Sequence, residues 1–299
     1  MPTRHALGAL AILASAPLPA MAHDFWISPS TFQAAPGSAV AVELRVGVSC
    51  PGDVVMRKDS RIDRFDVSLG GAAQPRPIEG KDGTSPAGSV TFDESGLATI
   101  VYAGKPAFIE LAPADFEAYL KEEGLEWVID ERRKLGEAML PGREDYSRRC
   151  RSLVRVGEAA PGAFDAPSGL DYEIVALHDL GRDALGTWVE FRVLRDAKPL
   201  AGALVRASPC QEGAAAQKAR SDENGVVRFN LNKPGPWLVA SVHMTRLDAE
   251  SKAQWQSRWA SLTFSVSGPV GEAAPGKRDV PMPTPITDQS PAVPTPPKP

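Results

Sequence analysis

The chain has 299 residues, a formal net charge of −4, 43% hydrophobic residues and charges of mixed sign. That balance offers no basic face of the kind nucleic acid demands, and no stretch reaches the roughly 20 apolar residues of a membrane-spanning helix. The length suits two domains and a tail.

Arg4 and His5 precede an apolar run from Ala6 to Ala16, followed by Pro17, Pro19 and Ala20-Met21-Ala22. This is the pattern of a secretory signal peptide with an A-x-A cleavage site. Residues 1–22 are therefore expected to be removed, and the mature chain to begin at His23 in the periplasm.

Residues 23–165 read as a first domain. Val40, Val42, Leu44 and Val46 alternate with polar or small residues, as do Phe65, Val67 and Leu69, which is the period of a half-buried strand. Ser89 to Phe92 and Leu97 to Tyr102 form a hairpin through Asp93-Glu-Ser-Gly96. In PADFEAYLKEEGLEWVIDERRKLGE the spacing changes. Phe116, Tyr119, Leu120, Trp127 and Val128 recur at helical intervals with Gly124 as a break, predicting a helical pair inserted around 113–138. A strand returns near Ser152 to Gly157, and residues 158–169, rich in Ala, Pro and Gly, read as a link.

Residues 166–267 read as a second domain. Tyr172 to Leu177 opens it, and LGTWVEFRVLR sets Val189, Phe191 and Val193 on one face. Asp222-Glu-Asn-Gly225 is a turn leading to Val227, Phe229 and Leu231. In WLVASVHM the stripe Leu238, Ala240, Val242, Met244 reads as the core side, which sends Trp237, Val239, Ser241 and His243 away from the core. Leu262, Phe264 and Val266 close the series. Residues 268–299 are proline with small and polar residues and read as a disordered, partly polyproline tail. The expected fold is all-β: two antiparallel β-sandwiches of Ig-like or prealbumin-like kind, the first with a helical insert.

Three cysteines, Cys50, Cys150 and Cys210, allow one disulfide after export. Cys50 with Cys150 is the favoured pair, since both fall in the first domain, although three pairings exist.

HDFWI after the leader, YSRRCRSLVRVG, YEIVAL, KPLAGALV, SDENGVVRF and WLVASVHM with WASLTF resemble an uncharacterised periplasmic family, the NikM-like periplasmic component of cobalt or nickel transport. The resemblance covers nearly the whole mature chain to about Val266. It implies transition-metal handling outside the membrane beside separate membrane transport components. It does not extend to Cys50 and Cys150. KPLAGALV with DENG is similar, in fold alone, to prealbumin-like and carboxypeptidase-regulatory sandwiches.

The residues themselves suggest a metal site of the same kind. A mature N-terminal His23 would offer its α-amine and imidazole Nδ1 as one chelate, at small proton cost near neutral pH. Nitrogen donors suit nickel, cobalt, zinc and, most strongly, copper. His243 is the expected second donor. His178, beside Asp179, is a third donor or an oriented imidazole, and Asp24 and Glu173 are oxygen donors of lower rank. No G-x-S-x-G, H-E-x-x-H or phosphate loop is present, which argues against an enzyme. The expectation is thus a periplasmic nickel, cobalt or copper binding protein. A metal-free ligand- or protein-binding sandwich, with HDFWI as a docking strand, is the alternative. A copper oxygenase with a histidine brace ranks below both.

Overall fold

The computed structural model describes residues 23–70, 74–158, 164–180 and 184–266. The expected leader, most of the link and the proline-rich tail lie outside the described residues.

The alternating runs become strands. In chain order the first half contains β1 (Asp24–Pro29), β2 (Gln33–Ala34), β3 (Ala39–Gly47), β4 (Asp53–Val55), β5 (Ile62–Leu69), β6 (Arg76–Pro77), β7 (Gly88–Thr91), β8 (Gly96–Gly104) and β9 (Ala107–Leu111). Then come α1 (Pro113–Glu122), α2 (Glu126–Lys134) and the long β10 (Gly142–Val156). Pro113 starts α1 where a missing N–H costs nothing. Gly124, at φ +69°, turns the chain between the two helices. The second half contains β11 (Tyr172–Ala176), β12 (Trp188–Arg195), β13 (Lys198–Pro199), β14 (Leu204–Pro209), β15 (Gln217–Arg220), β16 (Val226–Asn230), β17 (Gly235–Arg246) and β18 (Trp255–Val266).

These strands make three layers. In the middle runs a ten-stranded sheet ordered β15-β14-β17-β18-β10-β8-β5-β6, with β2 and β9 also on β10. One face packs against β11, β12, β13 and β16 around Phe191, Phe229, Trp237, Leu262 and Phe264. The other face is covered twice. Toward the first half it meets the sheet β1-β3-β4, with β7 on β3, around Ile27, Val42, Ile100, Tyr102 and Val154. Toward the second half it meets the two helices around Phe116, Leu120, Val242, Trp255 and Trp259.

The all-β architecture with a helical insert is as the sequence predicts, but three features differ. The expected hairpin through Asp93-Glu-Ser-Gly96 does not form, because β7 pairs with β3 while β8 crosses to the central sheet between β5 and β10. The sheets are not wholly antiparallel: β10 runs parallel to β18, from Glu144↔Trp255 to Ser152↔Thr263, and parallel to β2. The expected boundary at 165/166 also falls between strands of one sheet, because β10 and β18 hydrogen-bond across it. The pairing across the boundary follows from the length of β10. β10 is 15 residues long, so its first part pairs with the second half and its last part with β8.

Candidate functional site

The segment HDFWI is held from both sides. β1 pairs antiparallel with β3, from Asp24↔Gly47 to Pro29↔Val42. In a strand, the carbonyls on the opposite edge are left without backbone partners. Here side chains of the central sheet supply them at alternate residues. Arg148 Nη1 donates to the His23 carbonyl at 2.8 Å, the Cys150 thiol to that of Phe25 at 3.3 Å, and Thr263 Oγ1 to that of Ile27 at 2.7 Å. Ile27 and Trp26 are buried. Trp26 lies against Gly52, where a Cβ would meet the indole at 2.4 Å.

Under this strand lies a polar network. Asp24 is buried and ion-paired with Arg206 of β14 at 2.8 Å, and Arg206 also binds Glu123 just after α1. One guanidinium thus ties together β1, the helical insert and the second half. Burial pushes the Glu123 carboxyl up to about 7 against the pull of Arg206, with the nearby Asp24 charge adding to the rise. Burial likewise raises Glu144 to about 7, although it accepts hydrogen bonds from Ser257 and, at 3.2 Å, from Tyr119. Arg148 sits among the rings of Trp259, Tyr146 and Phe25, at 4.6, 5.2 and 6.0 Å from its guanidinium carbon.

The structure does not bring His23 and His243 together. Along β17, Val242 and Met244 face the helices together with Trp259, and the pairing of Arg206 with Ala240 puts Arg206 and its partner Asp24 on that same face. His243 points to the other face, where its ring lies 5.7 Å from that of Tyr172 on β11. The central sheet therefore separates His23 from His243. The expected outward stripe of β17 is not outward, since Trp237 and Val239 are core residues of the second sandwich. Both faces of this strand are covered. Burial, aided by Arg195 and Arg258, lowers His243 to about 4, and its Nε2 has no hydrogen-bond partner among the described residues. It is a neutral, half-buried imidazole beside two cations.

His178 lies two residues beyond the end of β11, in a bend. Its Nε2 is 3.2 Å from Glu190. Asp24 is committed to Arg206. Glu173 is buried and accepts from Ser168 N and Oγ and Gly169 N while pairing with Arg151. Among the described residues no group of three or more His, Cys, Asp or Glu is placed to hold a metal ion.

The favoured disulfide is corrected. Cys50 bonds to Cys210, 160 residues away, and Cys150 is a buried free thiol. Sequence distance misled because β10 carries Cys150 into the central sheet, whereas the turn after β3 and the end of β14 meet over Trp26 and Leu238. Beside the disulfide opens a cleft of about 280 Å³, lined by residues of both halves: Ile27 and Pro29 of β1, Phe32, Pro51, Pro236 and Thr263 among them. Sequence reasoning missed Arg206, Glu123 and Glu144. The only signal was a charged residue between Val205 and Ala207, which in a single sandwich reads as a solvent-facing position.

These features define a double β-sandwich with one helical insert, fused through a shared sheet and fastened by a buried ion-pair network. The chain belongs to the family described as domain of unknown function DUF4198, which matches residues 20–245. None of the curated proteins matches it. Among solved structures it is similar to the D0-D1 domain of intimin, at 12% identity over 81% of this chain and 98% of that one, with a TM-score of 0.21. It is also similar to the three N-terminal domains of the highly immunogenic outer capsid protein of bacteriophage RB49, at 8% identity over 82% and 71% with a TM-score of 0.19. A DUF3823 family protein from Bacteroides uniformis aligns at 8% identity over 82% and 99%, with a TM-score of 0.20. No helix of the described residues is long and apolar enough to cross a membrane.

Proposed function

We propose that this chain is an exported, periplasmic binding module that holds no metal of its own and takes a ligand or protein segment at the cleft beside β1. The observation that carries this reading is the use made of HDFWI. Its carbonyls, its Asp24 carboxylate and its Trp26 ring are all spent on internal contacts, and beside them, next to the disulfide, a cleft stays open. The disulfide fits an oxidising compartment. If the NikM-like resemblance extends to function, the partner is a membrane transport component recognised as a protein.

Thermal melting tests this. Trp26→Ala removes a buried indole at the centre of the docked segment and should cost about 3–5 kcal/mol. Nickel, cobalt, copper and chelators should leave the melting of the processed wild-type protein unchanged. Metal-dependent stabilisation that disappears in His23→Ala would overturn the proposal and restore the metal reading.

A further inference from the structure

The cleft beside the disulfide lies where the described chain ends. Thr263 forms part of its wall, and Pro236, also in the wall, pairs with Ser265, so the last described residues of β18 lie at the rim of the cleft. The accessible parts of the wall are the half-buried Phe32, with Ser28, Arg45 and Cys210, and the exposed Pro51 and Pro236, with Ser30 at the edge. At about 280 Å³ the cleft is smaller than the roughly 300 Å³ at the lower end of small-ligand pockets. It suits a few residues of extended chain. Aromatic and proline-lined grooves of this kind take proline-rich segments, whose preformed extended conformation loses little entropy on docking.

Residues 267–299 supply such a segment. Their sequence ends PMPTPITDQSPAVPTPPKP, with three acidic and three basic side chains, so packing and not net charge would drive docking. At about 3.1 Å per residue a proline-rich segment of this length would be long enough to fold back from Val266, which follows Ser265 at the cleft wall. Covalent attachment also raises its local concentration to the millimolar range, enough to fill a weak site.

From this placement we infer that the cleft is the docking site of the chain's own C-terminal segment. The inference rests on the reading of the cleft as the binding site of the module. The test uses the full processed chain with the photo-crosslinking residue p-benzoylphenylalanine in place of Val293. Intramolecular crosslinks, mapped by mass spectrometry, should concentrate on peptides containing residues 26–32, 50–51 and 236. They should fall at least fivefold in Phe32→Ser, in Pro236→Ser, and when a synthetic peptide of residues 280–299 is added in excess. Crosslinks scattered over the surface, unchanged by both variants and by the peptide, or formed only between molecules, would overturn the inference. The melting and metal experiments above do not depend on the tail, so this outcome would leave the binding-module reading standing. Metal-dependent stabilisation would sink that reading whatever the crosslinks show.

Discussion

Glu144 is a carboxyl enclosed by Tyr119, Ser257 and the base of the helical insert. Its proton is held more tightly in the folded chain than in the unfolded one, with the pKa moving from 4.5 to about 7. Stability from this group is therefore present below pH 4.5 and is lost as pH rises from 4.5 to 7. Glu144→Gln keeps an accepting oxygen for both hydroxyls and cannot ionise. Urea midpoints between pH 4.5 and 7.5 should show a flatter profile in the variant, with up to about 3 kcal/mol of relative gain at pH 7. Equal slopes in both proteins would refute it. Glu123 has the same sign and stays in place, so the slope is reduced and not abolished. His243 acts oppositely: its neutral form is favoured in the fold, so its contribution is present above 6.5 and is lost as pH falls toward 4. None of these environments was legible in the sequence. A glutamate before Asp145 or an arginine between Val205 and Ala207 reads as solvated until a second layer is known to cover that side.

At the level of elements the sequence was more informative. The alternation in β3, β5, β12 and β16 and the helical spacing after Pro113 each mark an element that forms, because burial of one face is a local property. What local pattern could not reveal is which strands are buried on both faces. β17 has Trp237 and Val239 in one core and Val242 and Met244 in another, so choosing one stripe as the inside necessarily misplaced His243. The insert is fixed by close approach as well as by its apolar face. Gly142, at the start of β10, lies against the ring of Phe116, where a Cβ would fall 2.2 Å from the ring. Phe116 is fully buried and α1 would have to shift. Gly142→Ala should destabilise by about 1–3 kcal/mol, with a near-ultraviolet circular dichroism change from Tyr119 and Trp259, whose rings stack at 5.7 Å. An unchanged melting curve would show that α1 is not locked there.

Across the whole molecule the halves are joined, besides the Arg206 network, by the parallel pairing of β10 with β18 and by the Cys50–Cys210 bond. Neither could be read from the chain, since each links residues more than 100 positions apart and parallel neighbours leave no turn signal. The disulfide closes a loop of about 160 residues, for which the chain-entropy relation gives about 5 kcal/mol as an upper figure. Cys50→Ser and a reducing agent should lower the melting temperature of the folded chain to the same extent and without additivity, while the buried Cys150 should react with thiol reagents only after unfolding. Additive losses would mean that the bond is not the one broken by reduction. The parallel seam also sets an order of events. Because β18 is the last described strand and lies between β17 and β10, the middle of the central sheet stays open until Val266 has emerged. A chain released from its amino end would thus hold its first half unfinished, with β10 exposed along one edge, and delay commitment to the native state for as long as β18 is missing.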